Sequence, residues 1–176
     1  MDRRGDLAAS LRSVTAAGPQ EQEALERITA LLGGDGDPFD RDSMAPGHVT
    51  ASAFVLHPDG GRLLLILHRK LGRWLQPGGH VDPGDASVWE AAVREVSEET
   101  GLVATLVGEG PFDVDVHRVG HDGTEHEHFD IRYLVVGSGD PTAGDGVDAV
   151  RWATLDEFDG MEDSLRRPAR KALGSP

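Results

Sequence analysis

The segment 78–102, GGHVDPGDASVWEAAVREVSEETGL, constrains the fold most, because a glycine-rich turn leads into a helix whose ends are marked. Ser87 followed by Glu90 is a capping-box pattern that predicts the helix start, and the Thr-Gly pair at 100–101 predicts its end. In that register one apolar stripe faces a core, at Val88, Ala92 and Val96. The sequence therefore predicts one amphipathic helix over 87–100.

A second face of this helix carries three glutamates. Glu95, Glu98 and Glu99 are related as i, i+3 and i+4, so their like charges converge. Two interpretations stand: a solvated acidic face, or a site for a hard divalent cation such as Mg²⁺ or Mn²⁺, which prefers oxygen ligands. The glycine-rich turn favours the cation site, because glycine lets the backbone approach an ion closely. Arg94 lies four residues from Glu90 and Glu98 and is expected to pair with both.

The rest of the chain from residue 47 reads mainly as strands. Residues 48–56 and 62–69 flank the turn sequence HPDGG and are predicted to form a hairpin. Four more strand-like segments follow the helix, namely LVATLVG, FDVDVHRV, HFDIRYLVV and DAVRWAT, and 161–173 is a predicted closing helix. Strands and helices around one core predict an α/β or α+β sandwich with a mixed sheet.

The first part of the chain, residues 1–46, is predicted to form an N-terminal helical hairpin and a linker, with a main domain over 47–176. A Gly-Pro pair at 18–19 separates the two helices, and 33–48 reads as a loop rich in Gly, Pro and Asp. Each helix has an apolar stripe, formed by Leu7, Leu11 and Val14 and by Leu25, Ile28 and Leu32. Exposed stripes need a partner surface, so the hairpin is expected to pack on the main domain or on a second copy.

Charge and composition exclude several classes of partner. Lys and Arg number 17 against 31 Asp and Glu, and the resulting net charge of −14 disfavours long nucleic acid and anionic membranes. The chain has no cysteine for disulfides or a cysteine zinc site, and its first residues lack the apolar core of a signal peptide. No apolar run approaches the roughly 18 residues of a membrane span. A cytoplasmic location is expected.

The turn and helix resemble the signature box of the Nudix hydrolases, G-x5-E-x7-R-E-U-x-E-E-x-G-U, where U is aliphatic. Gly79 is followed after five residues by Asp85, and REVSEETGL at 94–102 matches the rest. Two departures occur: Asp85 stands where the family has Glu, and one extra residue, placed at Ala86, precedes the helix. The resemblance extends over about 47–173 and leaves the N-terminal hairpin outside.

This resemblance implies a Nudix-like α/β/α sandwich and a reaction, the hydrolysis of a diphosphate linkage in a nucleoside diphosphate joined to another group X. Nudix enzymes require Mg²⁺ or Mn²⁺, and homodimers are common among them. Which carboxylate activates water is left open, since family members differ. By position, the implied roles are support of the box for Asp85 and Arg94, catalysis and metal binding for Glu95, Glu98 and Glu99, and a further metal ligand for the Gly79 carbonyl.

A second unusual stretch, DVDVHRVGHDGTEHEHFD at 113–130, alternates polar and apolar residues. If GHDGTE turns a hairpin, two polar faces lie side by side, Asp113, Asp115 and His117 on one strand and His126, His128 and Asp130 on the next. One interpretation makes these faces line the pocket, bind the leaving group of the substrate through His117, His126 and His128, or supply another metal ligand. In it Glu127 is an outer metal ligand of the kind many Nudix enzymes use. The alternative is a hydrated sheet face opposite a core of Val114, Val116, Phe129, Ile131 and Tyr133.

Basic and aromatic residues near the box also have two interpretations. Arg69 and Arg73 are candidates to bind substrate phosphates, because a guanidinium carries a fixed charge and forked donors. Basic residues at strand ends are also common as solubilising surface. Trp74 and Trp152 either stack on a substrate ring or belong to the core.

Three functions are compatible with these residues. A Nudix pyrophosphohydrolase acting on a small diphosphate comes first, and its substrate is left open. The alternative is a non-catalytic Nudix-fold sensor of a nucleotide or nucleotide sugar, although a sensor does not need a self-repelling glutamate cluster. An isomerase of isoprenyl diphosphates ranks last, because it normally depends on a catalytic cysteine and this chain has none.

Overall fold

The central strand of the sheet is β1 (Gly47–Leu56), in a computed structural model that describes residues 2–120 and 125–174. β1 runs parallel to β7 (His126–Ser138) and antiparallel to β2 (Leu63–His68) and β4 (Gly78–His80). Around these, β3 pairs with β2, β5 and β6 with β7, and β8 with β2. Their bounds are β3 Arg73–Leu75, β5 Val103–Leu106, β6 Asp113–Val119 and β8 Val147–Ala153. The sheet is therefore mixed.

The sheet lies between two layers of helices. Because β1 alternates its side chains between the two faces of the sheet, it packs against both layers. Val49, Ala51, Ala53 and Val55 pack with α1 (Arg3–Ser10), α2 (Pro19–Leu32) and α3 (Val88–Thr100). Phe54 points the other way and packs with Leu165 and Ala169 of α4 (Asp163–Leu173). Short 3₁₀ helices cover Leu11–Ser13 and Leu155–Phe158. The predicted α/β fold with a mixed sheet is confirmed.

Helix α3 begins and ends where its sequence signals indicate. The Ser87 side chain accepts a hydrogen bond from the Glu90 amide at 3.1 Å, and the left-handed Gly101, at φ 69°, ends the helix. The predicted inner stripe of Val88, Ala92 and Val96 is buried. The capping box differs in one detail, since the Glu90 carboxylate accepts from the amide of Ala86, one residue before the cap. The register assumed for the glutamates is therefore correct.

The glycine-rich segment before α3 contains a strand that the sequence pattern did not predict. Gly78–His80 forms β4, in which Gly78 lies opposite Ser52 and Gly79 opposite Ala51. A Cβ at Gly78 would lie 2.4 Å from the Ser52 Cβ, so this approach of two strands requires glycine. Strands of three residues, as β3 and β4 are, have no periodicity to recognise.

The N-terminal hairpin packs on the sheet of its own chain. Leu7 and Leu11 from its first part and Ile28 and Leu32 from α2 are buried in the same core as the odd-numbered side chains of β1. The division of the chain into 1–46 and 47–176 stays a prediction.

Strands β6 and β7 pair as the predicted hairpin requires, from Asp113 opposite Arg132 to Val119 opposite His126. Most of the turn GHDGTE, residues 121–124, lies outside the described residues. On the inner face of this pair Val114, Phe129, Ile131 and Tyr133 are buried and Val116 is half-buried, so the predicted core is confirmed.

Candidate functional site

The three glutamates of α3 lie against the short strand β4. Glu99 is buried, and its Oε2 accepts a hydrogen bond from the Gly78 amide at 3.0 Å. Burial raises the pKa of Glu99 to about 8. Glu95 is half-buried, and burial raises its pKa as well. The Glu98 side chain is 47% exposed. Two of the three carboxylates are therefore held in surroundings that disfavour their charge.

Gly79 leaves room for one of these carboxylates. A Cβ at this position would lie 2.5 Å from Oε1 of Glu95 and 3.0 Å from its Oε2. Any larger residue would push the Glu95 carboxylate away from the backbone of β4. The glycine thus allows the close approach of backbone and carboxylate that its sequence context predicted.

Arg94 connects the loop before α3 with two of the glutamates. Its guanidinium donates to both oxygens of Asp85, each at 3.1 Å, and to the His80 carbonyl at 2.9 Å. It also donates to Glu95 at 2.8 Å and Glu98 at 3.0 Å. The hydrogen bonds to Asp85 are the main reason that the pKa of Arg94 is raised. Arg94 therefore pairs with Glu98 as expected, whereas the expected pair with Glu90 is not formed, since Glu90 caps Ala86.

Asp85 occupies the position at which the sequence departs from the box consensus. Its carboxylate is buried, binds Arg94 through both oxygens, and accepts from the Asp82 amide at 2.8 Å. The extra loop residue at Ala86 leaves α3 in register with these contacts. Asp85, although shorter than the Glu of the consensus, therefore connects the longer loop to α3 through Arg94.

The opposite face of the sheet has a polar floor next to β4. Asp130 on β7 accepts hydrogen bonds from Ser52 at 2.8 Å and from Thr50 at 3.3 Å. The fully buried Arg132 donates to Asp130 at 2.8 Å, to Asp115 at 2.9 Å and to Asp113 at 3.3 Å. Burial opposes its charge, but these three carboxylates raise the pKa of Arg132. All members are partnered, so the floor is a fixed network.

Five histidines extend this polar floor toward the start of β1. The rings of His48, His126 and His128 lie 4.9–5.0 Å apart by centroid, with His80 5.0 Å from His48 and His117 5.7 Å from His128. Burial, followed by the charges of neighbouring histidines, lowers the pKa of His128 to about 3. Burial also lowers the pKa of His80 to about 4 and lowers that of His48. Burial therefore favours the neutral form of the rings of His48, His80 and His128.

Comparison with protein families decides what kind of chain this is. The family model described as the NUDIX domain matches residues 46–173, which include all eight strands, α3 and α4. The chain belongs to the Nudix family. Its hairpin helices α1 and α2 precede the matched region. Nudix proteins typically depend on divalent metal ions, so the donors around α3 are the first place to test for such a site.

Known proteins support this assignment. A putative 8-oxo-dGTP diphosphatase of Bacillus subtilis (strain 168) is 48% identical over 58 residues, which are 32% of this chain and 38% of the relative. A NUDIX-family hydrolase of Clostridium perfringens has a similar structure, with a TM-score of 0.55, 24% identity, and coverage of 72% of this chain and 95% of that one. For a C. elegans Ap4A hydrolase the TM-score is 0.54, with 20% identity and coverage of 70% and 93%. The two structures establish likeness of fold.

The residues of the Nudix box have donors that fit a hard divalent cation. Glu95, Glu98 and Glu99 offer carboxylate oxygens, and the space that Gly79 leaves brings a backbone segment against one of them. Burial, helped by the neighbouring charges of Glu95 and Glu98, raises the pKa of Glu99 despite the hydrogen bond from Gly78. A divalent ion at this place would restore the charged form of these acids.

Glu127, Arg69 and Arg73 each pair with a residue other than the box glutamates. Glu127 pairs with Arg27 of α2, beside a cleft of about 510 Å³ between the hairpin and β7, and faces away from His126 and His128. Arg69 binds Asp148 at 2.7 Å and the Val147 carbonyl at 3.0 Å. Arg73 pairs with Glu162.

Both candidate tryptophans contact protein side chains. Trp74 packs against the core between the sheet and α4, and the Arg151 guanidinium lies 4.9 Å from its ring centroid. Trp152 packs edge-on to the ring of His57. Across the described residues, no helix is both long and apolar enough to cross a membrane.

The sequence patterns did not indicate His48, His80 or Arg132, nor Gln76, whose side-chain amide donates to Ser52 at 3.3 Å and to Asp130 at 3.4 Å. A signal for His48 was present, since His48, Thr50 and Ser52 alternate with apolar residues in HVTASAF, which indicates a polar strand face. His80 is close in the chain to the box glycine, but only the pairing of β4 with β1 brings it to His48. Arg132 is fully buried, which no sequence pattern indicates for an arginine.

Proposed function

We propose that this Nudix protein is a metal-dependent hydrolase that cleaves the diphosphate linkage of a nucleoside diphosphate joined to another group. The observation that carries the proposal is the set of three glutamates on α3, held against β4 by Arg94 and by the Gly78 amide. Arg94 offsets part of the repulsion between these carboxylates at Glu95 and Glu98, and a bound divalent cation would offset the rest. The carboxylate oxygens of this cluster therefore suit the divalent cation that hydrolysis of a diphosphate would use.

The proposed ligands of Mg²⁺ or Mn²⁺ are Glu95, Glu98, Glu99 and the Gly79 carbonyl. Bound there, the ion would supply neutralisation of phosphate charge and a lowered pKa of the attacking water. The side chain of Arg94 orients two of the carboxylates through its bonds to Glu95 and Glu98, and Asp85 fixes Arg94 in turn. In this proposal Asp85 and Arg94 are positioning residues.

Substrate binding is proposed for the polar side of the sheet. His117 and His128 lie directly opposite each other on β6 and β7, and His126 shares their face, which supports a role in holding the leaving group. Arg69 and Arg73 would have to exchange Asp148 and Glu162 for phosphate oxygens. Glu127 would have to leave Arg27 to serve as an outer metal ligand.

The test is hydrolysis of a panel of diphosphates with Mg²⁺ or Mn²⁺, by wild type, Glu98→Gln and Glu99→Gln. The panel includes nucleoside triphosphates with 8-oxo-dGTP, dinucleoside polyphosphates, nucleotide sugars, dinucleotide cofactors and non-nucleotide diphosphates. One compound is expected to turn over, with a loss of about 10²-fold or more in each variant. Glu90→Gln is the matched control, because it lies on the same helix and keeps an oxygen that can cap Ala86.

Two results would contradict the proposal. Turnover that is unchanged in both glutamate variants would place the chemistry elsewhere. Tight binding of one compound without cleavage at saturating Mg²⁺ would instead support the alternative of a nucleotide or nucleotide-sugar sensor.

A further inference from the structure

Three histidines on the polar side of the sheet have the arrangement of a metal site. Ligand nitrogens of His48, His126 and His128 all lie within 4.8 Å of one another. His48 stands directly opposite His128 in the parallel pairing of β1 and β7, and His126 lies two residues earlier on the same face of β7. Two paired strands therefore fix the backbone positions of all three rings.

The distance between two of the rings matches that of ligands on one ion. Nε2 of His126 and Nε2 of His128 share a hydrogen bond at 3.2 Å, which a bound ion would replace. Two nitrogens bound to a tetrahedral zinc ion at about 2.0–2.1 Å would lie about 3.3 Å apart. The third nitrogen lies within 4.8 Å of both, a spacing at which the three rings could hold one ion.

His48 supplies an independent indication that a ligand is needed. Its side chain is 1% exposed, and Nδ1 lies 3.3 Å from the Ser43 carbonyl, which only a protonated Nδ1 can bond. The neutral ring therefore presents its lone pair on Nε2, and this buried atom has no hydrogen-bond partner within the described part of the chain. A buried acceptor without a partner is unfavourable, and an Nδ1–H bond to a backbone carbonyl is the usual support of a metal-bound histidine.

The chemistry of the ligands selects the metal. Imidazole nitrogens suit Zn²⁺, Co²⁺, Ni²⁺ and Cu²⁺, whereas Mg²⁺ and Mn²⁺ prefer oxygen. The ring of His80, 5.0 Å from His48 and 5.6 Å from His128, stands beside the open side of the triangle.

We propose that His48, His126 and His128 bind one Zn²⁺-like ion, at a second metal site made of residues different from the box glutamates. The ion would link the start of β1 to the start of β7 and satisfy Nε2 of His48. With three protein ligands, the site keeps one position for His80, for water or for an oxygen of a bound molecule.

The test is calorimetric titration of Zn²⁺ into untagged protein that has been freed of metals with a chelator, with Mg²⁺ in excess to occupy oxygen ligands. One equivalent is expected to bind, and Co²⁺ in its place is expected to give the strong visible absorption of a low-coordinate ion. His128→Gln and His126→Gln should each weaken binding by more than the roughly 10–100-fold that loss of an outer hydrogen bond costs.

Two controls separate this site from other places where zinc binds. His57→Gln removes a histidine that lies after β1 and contacts Trp152, and it should bind Zn²⁺ as the wild type does. The double variant Glu98→Gln, Glu99→Gln should also keep the Zn²⁺ equivalent. Circular dichroism checks folding, and if His128→Gln fails to fold, the half-buried His126→Gln decides alone.

Two outcomes would overturn the proposal. Zn²⁺ binding in wild type that equals binding in His126→Gln would show that the histidines hold no ion. Binding that disappears only in the glutamate double variant would assign the ion to the Nudix box. Because none of these measurements uses hydrolysis, failure of the zinc site and failure of the proposed hydrolase are distinguishable.

Discussion

At the scale of single residues, Gly79 is the most informative position, because the Glu95 carboxylate occupies the space that a side chain would take there. We predict that Gly79→Ala lowers kcat by about tenfold or more, since the new Cβ would displace the Glu95 carboxylate from its place. The thermal midpoint should fall by only a few degrees, because the end of a flexible side chain moves and no left-handed backbone is required. Steady-state kinetics and a melting curve measure both.

Gly84→Ala is the matched control for this prediction. It lies in the same loop, and a Cβ there meets no atom within 4 Å. Its kcat should stay within about twofold of wild type. Equal losses of kcat in the two variants would mean that the loop tolerates no side chain at either position. The proposed role of Gly79 in leaving room for the Glu95 carboxylate would then be contradicted.

Arg94 makes a second residue-level prediction. Arg94→Lys keeps the charge but loses the planar fork that binds both oxygens of Asp85. We expect a decrease of roughly 1–3 kcal/mol in the free energy of unfolding, because Asp85 is buried and would lose hydrogen bonds. Denaturant unfolding measures it, with Arg62→Lys at an exposed pair with Asp59 as control. Similar small effects in both would contradict a special role for the fork.

At the scale of elements, Glu21 connects α2 with α4. This buried carboxylate binds Lys171 at 2.9 Å and the Ala17 amide at 2.7 Å, with Arg167 3.3 Å away. We predict that Glu21→Gln lowers the free energy of unfolding by roughly 1.5–3 kcal/mol, because Lys171 loses its charge-assisted hydrogen bond and Arg167 keeps only Asp113 of its two carboxylate partners. Glu23→Gln, an exposed change on the same helix, should be nearly neutral.

The pH dependence of this pair follows from the pKa of Glu21. Burial opposes its ionisation, but hydrogen bonds from Lys171 and Ala17 and the nearby charges of Lys171 and Arg167 outweigh burial and lower the pKa. A lowered carboxylate pKa gives stability that is full above the unfolded value and is lost as the pH falls through the folded value. The stability difference between wild type and Glu21→Gln should therefore shrink below about pH 4.5. A difference that is constant from pH 7 to pH 3 would contradict this.

At the scale of the whole molecule, we propose that residues 1–46 are an integral layer on the Nudix domain 47–176. Leu7, Leu11, Ile28 and Leu32 are buried against the sheet, and each contributes on the order of 1.5–3 kcal/mol by burial. A chain that begins at Ala45 is expected to aggregate or to unfold at a much lower temperature, measured by light scattering and a melting curve. Equal solubility, activity and oligomeric state would contradict the proposal.

Much of the box was predictable from the sequence, because its information is local. Ser87 and Gly101 mark the ends of α3, and the spacing of three and four residues places the glutamates on one face. The alternation of polar residues predicted that His117, His126 and His128 share a polar face. The addition of His48 was not predictable, since it meets His128 only through a parallel pairing of strands 80 residues apart. No local pattern specifies such a partner. The contacts of Arg94 with Asp85 depend likewise on a loop conformation that includes an extra residue.

The parallel pairing of β1 with β7 affects the order in which parts of the chain fold. Ten consecutive residues of β1 lie beside β7, and this pairing closes a long stretch of chain that includes α3 and five other strands. Contacts between segments so distant in sequence form slowly, because chain entropy is lost before the contacts compensate for it. During synthesis on the ribosome, β1 therefore cannot complete its pairing with β7 until more than 130 residues have emerged. The box helix is able to fold early, whereas the polar floor is completed among the last parts of the molecule.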